Sequence, residues 1–146
     1  MACKLRLVSA YCVPELGQLV RRMSAAVEPS FLDQVISREG MVEPDQLSLV
    51  LRVTKSELAV ALGLSRDAVS KTRRLQAPAT QLRLREVAEI INRILPWCGS
   101  VQQAFAWYRS QPIPAFGDQT AEDLVRGGRS EHLKSYLAGI AVGGYA

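Results

Sequence analysis

Apolar residues recur along this chain at three- and four-residue steps, and no stretch alternates apolar with polar positions long enough to predict a strand. This helical period, with capping residues and prolines as boundaries, predicts a series of helices. They are residues 15–27, a helix from residue 31 that Gly40 ends, and residues 44–51, 55–62, 66–74, 79–95, 101–108, 121–126 and 130–142. We therefore expect an all-α fold.

Two of these helices are predicted to form a helix-turn-helix over about residues 54–76. Thr54 and Glu57 have the spacing of a capping box, in which each side chain satisfies a backbone N–H of the first helix. Gly63 supplies the left-handed residue that ends this helix, and Ser65 caps the next one. Serines and threonines at residues 30, 100 and 120 are predicted to cap further helices in the same way.

The second helix of this pair carries the candidate DNA contacts. If Val69 faces inward, a rotation of about 100° per residue places a polar and mostly basic set outward. The set is Ser65, Arg66, Asp67, Ser70, Lys71, Arg73 and Arg74. Basic side chains there neutralise phosphates or donate to guanine edges, whereas Asp67 accepts from cytosine or repels the backbone. An ordinary helical hairpin with a solvated charged face is the alternative interpretation.

Composition and charge fit a folded protein that binds nucleic acid. The 146 residues are 48% hydrophobic and carry a net charge of +4. Residues 52–93 hold nine Lys or Arg against four Asp or Glu, so the positive charge gathers on and after the helix-turn-helix. The apolar runs are too short to span a bilayer, and the first residues lack the apolar region of a signal peptide. We expect a cytoplasmic protein with no membrane partner.

The sequence offers no catalytic or metal-binding constellation. Three cysteines without a CxxC pair support neither a disulfide framework nor a zinc site. His132 is the only histidine, and no nucleophile is spaced to partner it. Glu122 and Asp123 are adjacent, so we interpret them as an acidic first turn favoured by the helix dipole rather than as paired catalytic carboxylates. We expect no enzyme activity and no cofactor.

A break at residues 75–78 divides the chain into a predicted N-terminal helical region, residues 1–78, and a small helical C-terminal domain, residues 79–146. Pro96 is expected to end the helix over 79–95, and Trp97 is expected to bury against the helix over 101–108. Two prolines exclude a regular helix from residues 110–117. Phe116 in this loop and Tyr145 in a glycine-rich tail suit contact with a partner. The alternatives are that Phe116 fills the protein's own core and that Tyr145 is disordered.

The C-terminal half resembles a known family. The segments Leu95-Pro96-Trp97, Ala106-Trp107-Tyr108-Arg109, Pro112-Ile113-Pro114-Ala115-Phe116-Gly117 and Thr120-Ala121-Glu122-Asp123-Leu124-Val125 resemble the toxin-binding domain of the Xre/MbcA/ParS antitoxins. The resemblance covers about residues 80–146, and the preceding helix-turn-helix is similar to the Xre-like module of these antitoxins. It implies an antitoxin of a type II toxin–antitoxin system. Its partners would be operator DNA and a RES-domain toxin, an enzyme that consumes NAD.

The same resemblance implies where the toxin would be contacted. It assigns contact to the loop at 112–117, the helix at 130–142 and the tail. The implied residues are Ile113, Pro114, Phe116, His132, Tyr136, Gly143, Gly144, Tyr145 and Ala146. The composition of the tail and the resemblance together make the Tyr145 ring a candidate plug for the NAD-binding cleft of the toxin. The alternative is that the helix at 130–142 blocks the toxin by bulk alone.

Two further functions compete with an antitoxin. A stand-alone helix-turn-helix regulator would sense a ligand or another partner through its C-terminal half, and a small enzyme is the weakest candidate.

We also expect a homodimer or a higher oligomer, because one helix-turn-helix buries too little surface for tight specific binding.

Overall fold

A computed structural model describes residues 29–143 of the chain. These residues form nine α-helices and one 3-10 turn and contain no strand, so the predicted all-α fold is confirmed. The helices are α1 (Phe31–Val35), α2 (Pro44–Leu51), α3 (Lys55–Leu62), α4 (Arg66–Ser70), α5 (Thr72–Leu75), α6 (Pro78–Cys98), α7 (Val101–Ser110), α8 (Ala121–Arg126) and α9 (Ser130–Ala141), and the 3-10 turn is Pro114–Phe116. The predicted helix over 15–27 and the tail residues 144–146 lie outside the described residues.

Hydroxyl caps begin five of the helices, as predicted. The caps are Ser30, Thr54, Ser65, Ser100 and Thr120. At α3 the Thr54 hydroxyl accepts from the Glu57 N–H at 3.2 Å, and the Glu57 carboxylate accepts from the Thr54 N–H at 2.8 Å. Hydrogen bonds from the Thr54 backbone and hydroxyl lower the pKa of Glu57. The carboxylate therefore stays ionised at neutral pH and keeps the first turn of α3 closed.

The first described helix is shorter than predicted. α1 ends at Val35 rather than at Gly40, because the chain reverses and its next backbone groups bond across the reversal. The Glu43 N–H donates to the Val35 carbonyl at 2.9 Å, and Ile36 forms an isolated antiparallel bridge with Val42. These bonds replace those that a longer helix would make.

The helix predicted over 66–74 is interrupted at Lys71, whose extended backbone (φ −95°, ψ 119°) separates α4 from α5. The Lys71 N–H donates to the Asp67 carbonyl at 3.0 Å, and the Lys71 carbonyl accepts from the Leu75 N–H at 2.9 Å. Ser70 and Thr72 flank the break, and both residue types have low helix propensity. The predicted single helix is therefore two short ones.

The longest helix, α6, runs through Pro96 to Cys98, and Gly99, with a φ of 83°, is its C-cap. The prediction that Pro96 ends this helix was wrong, because a proline near the last turn removes only one intrahelical donor. The Gly99 N–H donates to the Leu95 carbonyl at 3.0 Å and closes the turn beyond the proline. Trp97 lies on this added turn and is 50% exposed, so its predicted burial against α7 was also wrong.

Gln81 of α6 ties two neighbouring segments to the longest helix. Its side-chain oxygen accepts from the Val42 N–H at 2.9 Å, and its amide donates to the Val42 carbonyl at 3.2 Å. The same amide donates to the Leu75 carbonyl at the end of α5, at 3.0 Å. The C-terminal end of α5 is thus anchored on α6.

One hydrophobic core contains residues from both sides of the predicted boundary at residue 78. Its largest fully buried side chains are Leu47, Leu58 and Leu62 before that boundary, and Leu84, Ile90, Ile91, Ile94, Tyr108, Leu124, Leu133 and Leu137 after it. Tyr108 of α7 is 0% exposed, and its hydroxyl donates to the Ala61 carbonyl of α3 at 3.0 Å. The described parts of the two predicted regions are therefore packed together, and the division at residue 78 stays a prediction.

Replacing Tyr108 with phenylalanine should lower the free energy of unfolding by about 1–3 kcal/mol, because the buried Ala61 carbonyl loses its donor. Urea unfolding followed by circular dichroism measures this change. Ser135→Ala is the control, since it removes an exposed hydroxyl, and it should change the unfolding free energy less. Equal losses in the two variants would contradict the role given to the Tyr108 hydroxyl.

Candidate functional site

The helix pair α3 and α4 meets at a three-residue turn. Gly63 adopts a φ of 65° and ends α3, and the Leu64 N–H donates back to the Ala59 carbonyl at 2.9 Å. The Ser65 hydroxyl then accepts from the Ala68 N–H at 3.3 Å to begin α4. The inner sides of both helices are buried, as the apolar spacing predicted. These buried residues are Leu58, Ala59, Ala61, Leu62, Ala68 and Val69.

The outer side of α4 and α5 carries the predicted DNA-contacting residues. Ser65, Ser70 and the four cations are exposed, and Asp67 is half-buried. We call these four cations, Arg66, Lys71, Arg73 and Arg74, the basic face. Asp67 is the only acidic residue between positions 65 and 74, so the segment has a formal charge of +3, four positive minus one negative. Of this predicted set, Asp67, Lys71 and Arg74 remain in contact across the break at Lys71.

Asp67 holds two members of the basic face together. Its carboxylate oxygen Oδ2 lies 2.8 Å from Lys71 Nζ and 3.3 Å from Arg74 Nη1. The hydrogen bond and charge of Lys71, followed by the charge of Arg74, lower the pKa of Asp67. This carboxylate is therefore ionised at neutral pH, and a phosphate must compete with it for both cations.

Arg66 and Arg73 differ from these two cations. Within residues 29–143 no acidic side chain lies within ion-pair distance of either guanidinium. Both residues are exposed. They are thus available to an anionic partner without breaking an ion pair within residues 29–143.

The loop and the last helix that were predicted to contact a partner lie against each other. The Phe116 ring packs edge to face on the Tyr136 ring, with centroids 5.4 Å apart. His132 is exposed and lies one helical turn before Tyr136, and Pro114 is exposed in the 3-10 turn. We call Pro114, Phe116, His132 and Tyr136 the partner surface.

Ile113 does not belong to this surface. It is 2% exposed and is part of the hydrophobic core, so the prediction that it contacts a partner was wrong. Its N–H donates to the Gln119 carbonyl at 3.0 Å, which closes the loop on itself. Phe116 is half-buried and packs on the edge of the core, which combines the two alternatives considered for it. Gly143 is exposed with a φ of 77°, and Gly144, Tyr145 and Ala146 lie outside the described residues.

Glu122 and Asp123 both lie in the first turn of α8, as predicted, and Asp123 also forms a capping box with Thr120. The sequence analysis missed the ion pairs of Glu122. The Glu122 side chain is 9% exposed and forms ion pairs with Arg109 of α7 at 3.0 Å and with Arg126 of α8 at 2.7 Å. The four-residue spacing of Glu122 and Arg126 was a signal for one of these pairs. The contact with Arg109 depends on tertiary packing and has no local signal.

Residues 29–143 offer neither a metal-binding site nor an activated cysteine. No group of three or more His, Cys, Asp or Glu side chains is placed to hold a metal ion there. Cys98 is half-buried, and desolvation raises the pKa of its thiol, which lowers its thiolate fraction at neutral pH. Cys3 and Cys12 lie outside the described residues.

None of the helices described between residues 29 and 143 combines the length and apolar character that crossing a membrane requires.

No protein-family model matches the sequence, and no curated protein or solved structure shows significant similarity to it.

Proposed function

We propose that this protein is a DNA-binding antitoxin, which represses its own operon through α3 and α4 and neutralises a RES-domain toxin through its C-terminal half. The observation that carries the DNA-binding part is the basic face. One cation lies on α4, two lie on α5 and Lys71 lies between these helices, and within residues 65–74 only Asp67 opposes them. This arrangement suits the phosphate backbone, because each neutralised phosphate releases counterions.

The toxin-binding part rests on the family resemblance and on the partner surface. The resemblance assigns toxin contact to the loop and to the last helix, which meet at the Phe116 and Tyr136 rings. Two aromatic rings with an exposed histidine and proline beside them are typical of a protein contact surface. No catalytic role is proposed for any residue of this surface.

DNA binding is tested by fluorescence anisotropy with a labelled duplex from the region upstream of the protein's own coding sequence. A scrambled duplex of equal length and composition is the control, and both are titrated at several salt concentrations. We expect tighter binding to the upstream duplex and an affinity that falls steeply with salt. Equal and salt-independent binding to both duplexes would overturn the proposal.

Toxin neutralisation is tested by co-expression with the product of the neighbouring gene, followed by affinity purification and an assay of NAD consumption. A stoichiometric complex without NAD consumption supports the antitoxin. DNA binding without such a complex would instead support a stand-alone regulator with a C-terminal sensing region. The same preparations, run on light scattering, test the predicted dimer.

Asp67→Asn should raise DNA affinity several-fold, because the change removes a carboxylate that competes with phosphates for Lys71 and Arg74. The gain should be at least as large on the scrambled duplex, since Asp67 opposes all phosphates alike. Anisotropy titrations of both duplexes measure it. A loss of affinity confined to the upstream duplex would show that Asp67 reads a base instead.

A further inference from the structure

Arg126 connects the C-terminal half to the end of α3. Its guanidinium nitrogens Nε and Nη2 both donate to the Val60 carbonyl, with Nε at 3.1 Å. Val60 lies in the last turn of α3, and its carbonyl also accepts from the Gly63 N–H at 3.0 Å. A side chain of α8 thus satisfies the carbonyl that closes the turn before α4.

Gly63 leaves the space in which the Arg126 side chain lies. A Cβ atom placed on Gly63 would come within 2.9 Å of Arg126 Cγ and 3.6 Å of its Cβ. Glycine at this position therefore serves two purposes, the left-handed φ of 65° that ends α3 and the close approach of α8. The turn and the arginine are packed against each other as one unit.

Glu122 also bonds the Arg126 guanidinium, through the nitrogen Nη2 that donates to Val60. Its Oε1 lies 2.7 Å from Arg126 Nη2, and its Oε2 lies 3.0 Å from Arg109 Nε. The glutamate side chain is 9% exposed, whereas the two arginine side chains are 38–39% exposed. We call Arg109, Glu122 and Arg126 the Glu122 network. It joins α7 and α8 to the turn between α3 and α4.

We propose that Glu122 and Arg126 are positioning residues for DNA binding, holding the turn at Gly63 so that α4 and the basic face that begins on it keep one orientation. This inference rests on the proposed DNA-binding function. Without the network, the end of α3 loses two donors and α4 samples other orientations. A smaller fraction of molecules is then competent to bind, and the apparent affinity falls by that fraction.

The substitution Glu122→Gln gives a result of opposite sign for the two possible roles of Arg126. If Arg126 only contacts phosphate, removing a nearby negative charge strengthens DNA binding or leaves it unchanged. If Arg126 positions the turn, Glu122→Gln weakens DNA binding by about tenfold, as a tenfold smaller competent fraction requires. Anisotropy titration on the upstream duplex distinguishes the two outcomes. It is run where circular dichroism shows the variant folded.

Arg126→Gln supplies a second test that does not depend on how Glu122→Gln folds. Positioning predicts weaker DNA binding with an unchanged salt dependence. A direct phosphate contact predicts that the salt slope becomes shallower by about one. Arg126→Lys should restore only part of the affinity, because one ammonium does not reproduce the planar fork that bonds Val60 and Glu122 together. Full restoration by lysine would overturn the positioning role.

Amide hydrogen exchange tests the network without DNA. In Glu122→Gln and Arg126→Gln, exchange at the Gly63 and Leu64 amides should accelerate about tenfold relative to the intact protein. Glu131→Gln is the matched control, because this glutamate on α9 is 79% exposed and, among residues 29–143, pairs only with Lys134. It should change neither exchange at the turn nor DNA affinity.

The outcomes separate the two proposals. Faster exchange at the turn with weaker DNA binding supports the inference. Unchanged exchange, or faster exchange with unchanged affinity, overturns it while leaving DNA binding in place. An intact protein that binds neither duplex overturns the proposed function, and the exchange data then decide alone whether the network holds the turn.

Discussion

The double variant Lys71→Ala/Arg74→Ala should lose DNA affinity by about 1–3 kcal/mol for each residue if the two side chains read bases. If they contact phosphates instead, binding to all duplexes should weaken alike, with a shallower salt slope. In the free protein both cations are already grouped by Asp67, so the alanine substitutions also release that carboxylate toward the DNA. We therefore expect the combined loss to exceed a hundredfold. Anisotropy titration of the upstream and scrambled duplexes measures it.

Arg85→Ala/Arg93→Ala is the matched control for net charge. Both arginines are exposed on α6, and each donates to a backbone carbonyl, of Gly40 and Lys134 respectively. The control removes the same two charges outside the basic face and should weaken DNA binding far less. Equal losses in the two double variants would show that overall charge, rather than the basic face, determines binding. Toxin neutralisation should survive both.

Leu47→Ala in α2 should destabilise the C-terminal half of the described chain as well as its own helix. Leu47 is 0% exposed, and truncating such a leucine costs about 2–5 kcal/mol. The only two tryptophans, Trp97 and Trp107, lie after the predicted boundary at residue 78. Their fluorescence therefore reports unfolding of the C-terminal half alone. Because the two halves share one core, the tryptophan unfolding temperature should fall by about 5–15 °C.

Leu49→Ala provides the comparison within the same helix. Leu49 is 70% exposed, so replacing it with alanine should hardly change the tryptophan unfolding temperature. If Leu47→Ala lowers the helical signal of circular dichroism without moving the tryptophan transition, residues 1–78 and 79–146 are separate folding units. In that case the predicted domain division holds despite the shared packing.

Local patterns predicted the beginnings of helices better than their ends. Hydroxyl caps lie within three residues of the N–H groups they satisfy, so Thr54 and Thr120 are recognisable from spacing alone. Helix ends depend on competing bonds from elsewhere. α1 stops early because Glu43 takes over the Val35 carbonyl, and α6 continues past Pro96 because the turn closes at Gly99.

In the candidate site, too, contacts between residues close in sequence could be predicted, whereas contacts between distant residues could not. The basic face follows from helical periodicity, because Asp67, Lys71 and Arg74 are spaced by four and three residues. In the Glu122 network, Glu122 lies 13 positions after Arg109 and four positions before Arg126. Arg126 in turn bonds the Val60 carbonyl of α3, which is 66 positions away. Contacts over such distances depend on how the helices pack. Tertiary packing also explains Ile113, which the family resemblance assigned to toxin contact and which is buried in the core.

The hydrogen bond from the Tyr108 hydroxyl to the Ala61 carbonyl limits how this protein can be re-engineered. A chimera that joins residues 1–78 of one such protein to residues 79–146 of another would bring together two halves of a core that had not been matched in shape. The transplanted tyrosine would need an acceptor at the right place in a foreign α3, and the transplanted Arg126 would need a glycine at the turn. The proposed DNA specificity is therefore better exchanged by grafting the exposed side chains of α4 and α5 onto the intact chain.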